Sequence, residues 1–332
     1  MDPEESRAIA RQGAQRLAAL VDEAGRFLYR YDAATGAVLD GYSAARHAAC
    51  VWFLALAANR LAEPGLVPAA SRAMRWLEAH HLVPFGEHGI ALAEDDAVEL
   101  GGTALALLAA AELDHAGEGE ARPALARRLG RHLLGQRRPD GDFIHRRARN
   151  TGRAEDFRSP FSTGQALLAL AVLGAAIGGD EVLAPALASE TVLAGQNYGA
   201  ADQSHWMLYA IEALEAVAPV AAHRAHARRI AGTTLVYPVY RDLGKSTAIA
   251  CRCEGLVAYL GMLRRQPRAE AAELPTEALV RPHLEQDLAL LRPYRTEDGA
   301  FVKGRASREV RIDYVLHAAA GFLGHALLFS GT

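Results

Sequence analysis

Cysteine is scarce in this 332-residue chain: there are three. That is too few for a disulfide framework, and an odd count fits a reducing compartment. No charge sign dominates. Lys and Arg number 36 against 39 Asp and Glu, leaving a formal charge of −3, which argues against a dedicated nucleic-acid binder. No uninterrupted apolar run of roughly 18 residues occurs, so no membrane-spanning helix is expected. The opening MDPEESRAIA lacks the apolar stretch of a secretory signal. The expectation is a cytoplasmic protein with neither nucleic acid nor membrane as partner. Also missing are G-x-G-x-x-G, a phosphate loop, a nucleophile elbow and H-E-x-x-H. What remains is an ordinary globular composition, 51% hydrophobic and 23% charged, long enough to bury a large core.

What the chain has in abundance is a recurring helical hairpin. Six Ala/Leu-rich segments are nearly apolar all round after a polar first turn. They begin at Ser43, Val98, Ser162, Ala201, Ile249 and Arg311. Helices of that kind are buried on most sides. Six amphipathic segments lie between them, at residues 5–21, 66–81, 121–136, 181–196, 218–232 and 275–292, with Arg and Glu on one face. Only FLYRY near Phe27 and TLVYPVY near Thr234 read as extended. Six hairpins, each with one buried and one half-exposed helix, close naturally into an all-α, (α/α)6 toroid. Apolar helices form its inner ring and amphipathic ones its outer ring, in a single domain over residues 1–332. Turns from inner to outer helix are short, whereas the outer-to-inner connections 22–42, 82–97, 137–161, 233–248 and 293–310 are mostly long. An open solenoid would not need long loops on one side only. Loops of this length in a compact domain are usually functional.

Hairpin geometry makes the inner helices parallel, so their first turns converge on one mouth. Those turns bring Tyr42, Arg46 and His47; Glu99; Ser162 and Gln165; Asp202, His205 and Trp206; Cys251, Arg252, Cys253 and Glu254; and Arg311, Asp313 and His317. Polar groups one turn into an apolar helix are costly without partners. Capping accounts for Ser43 and Ser162 and is an alternative for Asp202. It does not account for Arg46, Arg252, Glu254, Arg311 or His317, which follow the cap. A polar cavity and a structural ion-pair network both fit. The spacings Asp202/His205 (i,i+3) and Asp313/His317 (i,i+4) place each pair on one helical face. Six positive helix ends and three arginines favour an anion. The loop arginines Arg146, Arg147 and Arg149 read as solvated surface, with attraction of an anionic polymer to the mouth as the alternative.

The segment LGRHLLGQRRPDGDF (Leu129–Phe143) resembles the Q-x-x-x-x-G-x-F/W signature that ends outer helices in the alpha-alpha toroid superfamilies. These comprise the six-hairpin glycosidase-like enzymes, and the terpenoid cyclases with the protein prenyltransferases. RTEDGAFVKG (Arg295–Gly304) is a second partial copy, without the Gln. The resemblance covers the whole chain as repeat architecture, and its motifs are structural. The terpenoid cyclase branch would require an Asp-x-Asp-Asp start on an inner helix and an aromatic-rich pocket. Here the matching start reads Val98-Glu99-Leu100-Gly101-Gly102-Thr103, and aromatics are 7% of the chain. The prenyltransferase and lanthionine-cyclase branch implies zinc, with Cys251, Cys253 and His317 at the corresponding positions of inner helices five and six. The carbohydrate branch implies a cavity lined by Arg, His, Asp, Glu and stacking aromatics such as Trp206.

The leading expectation is an enzyme acting by acid–base chemistry on a polar, anionic small molecule or oligosaccharide, a saccharide or uronate first. It would be a hydrolase, lyase or epimerase without a cofactor. Asp202, Glu254 and Asp313 are the candidate acids and bases, with His205 and His317 as proton carriers. Arg46, Arg252 and Arg311 are the anion anchors, and Tyr42, His47, Glu99, Gln165 and Trp206 are further binding residues. The alternatives are a zinc toroid acting on thiols or peptides, and a non-catalytic glycan- or peptide-binding toroid.

Overall fold

The computed structural model describes residues 1–87, 89–117, 121–267 and 272–330. Twelve α-helices occupy them: α1 (Pro3–Ala19), α2 (Ala44–Leu61), α3 (Val67–His80), α4 (Leu100–His115), α5 (Ala121–Leu134), α6 (Ser162–Ile177), α7 (Asp180–Gly195), α8 (His205–Val217), α9 (Ala221–Val236), α10 (Ser246–Arg265), α11 (Glu277–Leu291) and α12 (Ile312–Phe329). The even-numbered helices form the inner ring. Each packs on the next, and α12 packs back on α2, so the ring is closed rather than an open stack. The first outer helix, α1, lies along α12 and seals the junction between the two ends of the chain.

The burial pattern explains the division. On α4 every residue from Leu100 to Ala110 is buried, and α6 is buried from Ser162 to Ala171. On α1 only one stripe is buried, with Ile9, Ala10, Ala14 and Leu17 at helical spacing. Local chemistry sets the ends. Ser43 and Ser204 accept backbone N–H bonds at the starts of α2 and α8. Gly178 ends α6 in the left-handed conformation that glycine adopts without steric cost. Helix α12 is long and apolar enough to cross a membrane by length and composition. Its position explains that composition, because 72% of it is buried within the ring.

The long outer-to-inner connections carry short strands: β1 (Arg30–Asp32), β2 (Leu82–Pro84), β3 (Ile90–Glu94), β4 (Ala97–Glu99), β5 (Arg146–Ala148) and β6 (Glu309–Arg311). β2-β3-β4-β5 form one antiparallel sheet, and β1 pairs with β6. The β4–β5 register sets Glu99 opposite Arg146, and β1–β6 sets Arg30 opposite Arg311. These pairings hold the loops to the mouth. TLVYPVY, expected to be extended, is instead the last turn of α9 followed by a short 3-10 turn at Val239–Arg241. The helix simply runs on through its β-branched residues to Val236.

The two segments resembling the toroid signature adopt the same turn. Gly141 and Gly299 have positive φ, Phe143 and Phe301 are fully buried, and each phenylalanine bridges back to the residue six before it, Arg137 and Arg295. A third copy joins them: Gly25 also has positive φ, and Phe27 bridges to Val21.

Candidate functional site

The starts of the inner helices and the adjoining strands enclose a cavity of about 490 Å³ at the mouth. A groove along residues 19–42 is comparable at about 540 Å³ but contains no histidine or cysteine. The mouth cavity has two chemically distinct sides.

One side is built of arginine–carboxylate pairs. Asp313, on the first turn of α12, accepts from Arg311 Nε at 2.5 Å and Nη2 at 2.8 Å, and from Arg46 Nε at 3.1 Å. Arg46 also donates to the Tyr29 hydroxyl at 3.0 Å. Glu99, immediately before α4, accepts from Arg146 Nη2 at 2.7 Å. The Arg146 guanidinium lies 3.6 Å from the Phe157 ring centroid. Arg252, on α10, donates to the Gln203 side chain at 3.1 Å and to the Asp202 carbonyl at 2.9 Å.

The other side is a histidine–cysteine–glutamate cluster. His205 opens α8, and its ring lies 5.6 Å from that of His317 at an interplanar angle of 88°. His317 Nδ1 lies 2.7 Å from Glu254 Oε1. The second Glu254 oxygen accepts from the Tyr209 hydroxyl at 3.0 Å. The Cys251 sulfur lies within 4.8 Å of a donor atom of His317. Burial pushes the His205 imidazole well below its usual range, and the nearby His317 and Arg252 charges add to this. For His317 burial also acts downward. Cys251 and Glu254 outweigh it, and hold the imidazole well above the usual range. Trp206 lines the cavity between these sides, backed by Trp52 at 5.7 Å and Tyr209 at 5.8 Å between ring centroids.

Most of the expected site residues therefore meet. Arg46, Glu99, Gln165, His205, Trp206, Arg252, Arg311, Asp313 and His317 line the cavity, and Glu254 stands directly behind His317. Asp202 does not join them. It is exposed in the turn before Ser204, ahead of the helix start, so the assumed i,i+3 face with His205 does not exist. His47 is fully buried and faces α3: its nitrogens contact the Ala73 carbonyl at 2.8 Å and the Tyr42 hydroxyl at 2.7 Å, and it stacks on Trp76. Tyr42 follows it, packing on Tyr29 and Trp76 along the neighbouring groove. Cys253 is separated from the Cys251–His317 cluster because residues two apart on a helix point in different directions. It is fully buried against Gly321 of α12.

Arg146, read as solvated surface, is part of the cavity wall together with Phe157 and Phe161. Its place depends on the β4–β5 pairing across 47 residues, and no local pattern announces that.

No protein-family model and no curated protein matches the chain. Solved structures do. A D-mannose isomerase superimposes with TM-score 0.75 at 11% identity, over 96% of this chain and 97% of that one. Cellobiose 2-epimerase from Bacillus thermoamylovorans B4167 gives 0.70 at 12%, over 94% and 98%. An unsaturated glucuronyl hydrolase specific for heparin gives 0.69 at 12%, over 98% and 96%. At these identities the likeness is one of fold. It bears out the all-α, (α/α)6 toroid architecture.

Proposed function

We propose that the protein is an acid–base enzyme of carbohydrate chemistry, and specifically that it isomerises an anionic reducing sugar such as a uronate between aldose and ketose forms. The observation that carries this reading is the His205–His317 pair in the mouth cavity, set beside carboxylates that are all engaged. Asp313 is held by two arginines, Glu99 by Arg146, and Glu254 by His317 and Tyr209. Glycoside hydrolysis calls for two carboxyl groups flanking the scissile bond, one as acid and one as base or nucleophile. Such a free pair is not offered among the described residues lining this cavity.

Two imidazoles on the same side of a cavity suit a suprafacial proton transfer. His205, held neutral by its surroundings, would take the proton from C2 and return it to C1 on the same face. His317, held protonated beside Glu254, would donate to the carbonyl oxygen O1 as the enediol forms and, then neutral, would take up the O2 proton as the new carbonyl forms. Arg46 and Arg252 would bear the negative charge of the intermediate and of the substrate's anionic group. Epimerisation at C2 would require a second base on the opposite face, which makes isomerisation the better fit. The D-mannose isomerase and cellobiose 2-epimerase among the structural neighbours support the same class of chemistry.

The test is incubation with a panel of aldoses, uronates and their ketose partners in deuterated water, followed by NMR. Ketose formation with deuterium at C1 or C2 is expected. His205→Gln and His317→Gln should each reduce the rate by about 10³-fold or more. Cleavage of glycosides without carbon-bound exchange would replace this reading with a hydrolase.

A further inference from the structure

We infer that His205, Cys251, Glu254 and His317 together form a binding site for a soft divalent metal ion, with zinc the best fit. One donor atom from each residue lies within 4.8 Å of those of the others. Two nitrogens, a sulfur and a carboxylate oxygen are ligands that zinc takes in a four-coordinate site, and the thiolate selects against magnesium and calcium. The residues come from three successive inner helices, α8, α10 and α12. Cys251 and Glu254 are three apart on α10 and so share one of its faces.

A second observation points the same way. His205 is 2% exposed, and its Nε2 has no hydrogen-bond partner. A buried polar atom left unpaired is unfavourable, and a bound ion would remove that penalty at either ring nitrogen. The site also has an oriented support, because Tyr209 holds the second oxygen of Glu254. It has an entry path as well: Cys251 is only partly buried and, with His205 and His317, lines the mouth cavity. The ligand set expected from sequence, Cys251, Cys253 and His317, is thus revised, with His205 and Glu254 in place of the inward-packed Cys253. The nearby guanidinium of Arg252 opposes a cation. The thiolate and the carboxylate offset it, and the thiol proton passes to solvent when the ion binds.

An ion held here would occupy the nitrogens that the proposed isomerisation uses. Zinc is therefore expected to inhibit that reaction, a consequence that rests on the function proposed above. Binding itself does not rest on it. The test uses the full-length chain, stripped of metal by chelator, titrated with zinc and measured by equilibrium dialysis with elemental analysis, and separately titrated with cobalt(II). About one zinc per chain is expected, along with a thiolate-to-cobalt charge-transfer band and visible absorption of tetrahedral intensity. Cys251→Ser should abolish the band and weaken zinc binding about 100-fold or more. His205→Gln should weaken zinc binding while keeping the band, and Cys253→Ser should change neither. Circular dichroism would establish that each variant is folded. Substoichiometric zinc at about 10 µM free ion, against the tight binding usual for such donor sets, would overturn the site. So would a cobalt–thiolate band that survives Cys251→Ser. Failure of every sugar to react would sink the isomerase reading and leave these metal measurements standing.

Discussion

Asp313 shows how much of the mouth depends on single side chains. It is 7% exposed and accepts from two guanidinium groups, those of Arg46 and Arg311. Charge-assisted, bidentate pairs of this kind fix the angle of an arginine as well as its position. Asp313→Asn keeps the shape but removes the charge, so Arg46 and Arg311 would face each other across a neutral amide. The expected stability loss is about 1–3 kcal/mol, read as a lower midpoint in urea denaturation. The expected loss of kcat/KM on a sugar that the panel above shows to react is about 100-fold. An unchanged midpoint together with unchanged kinetics would reduce the triad to surface decoration. Removal of a binding contact alone would instead raise KM and leave kcat in place.

Between elements, a close backbone-to-backbone constraint at the site is the contact of α6 with α8. A Cβ built on Gly164 would sit 2.6 Å from the Trp206 carbonyl carbon and 2.7 Å from the Met207 backbone nitrogen. Backbone cannot swing aside as a side chain can, so Gly164→Ala must push the two helices apart next to His205 and Trp206. The expected cost is about 2–3 kcal/mol, with a corresponding fall in Tm. Gly130→Ala is the control. Its added Cβ would meet mainly the end of the Leu173 side chain at 2.3 Å, which can change rotamer, so less than half the effect is expected. Equal losses from the two variants would show that rigid helix contact is not the cause.

The helices were legible in the sequence because burial on all sides and burial on one side leave different compositions. The segments starting at Ser43, Ser162 and Arg311 could hardly be anything but inner helices. The strands were not legible. Each of the six spans three to five residues, too short for a period-two pattern, and their pairing is set by partners far along the chain. Arg146 escaped notice for that reason. Asp202 misled for a different one: the polar residues before Trp206 read as a first helical turn, whereas the chain there makes a turn with Gln203 at positive φ before Ser204 caps α8.

At the scale of the whole molecule, the ring carries several buried imidazoles outside the site, and these make its stability depend on pH. Burial is the main cause that holds His47, His132, His145 and His223 down to about 4. In the unfolded chain each returns to about 6.5. Between pH 6.5 and 4 the unfolded state therefore binds more protons than the folded state, and stability falls as pH falls. By pH 5.5 each such histidine costs about 1 kcal/mol. Two kinds of group work in the opposite direction. His317 is raised in the folded state, so its contribution is present below 6.5 and is lost as pH rises through its folded value. The carboxyls of half-buried Glu94 and of buried Glu190 and Asp287 are raised mainly by desolvation, and they take up protons in the fold before they would when unfolded. These four imidazoles are spread around the ring, on α2, α5, α9 and the loop before β5, so their effect should appear as one cooperative loss rather than local fraying. Urea denaturation at steps from pH 6.5 to 5 should show a midpoint that declines steadily as pH falls. His132→Phe, which replaces a buried imidazole packed edge-on against Phe85 at 5.7 Å between centroids, should make that decline shallower by about the share of one histidine. A midpoint that stays flat from pH 6.5 to 5, in the protein and the variant alike, would mean that these rings take up protons inside the fold as readily as outside it.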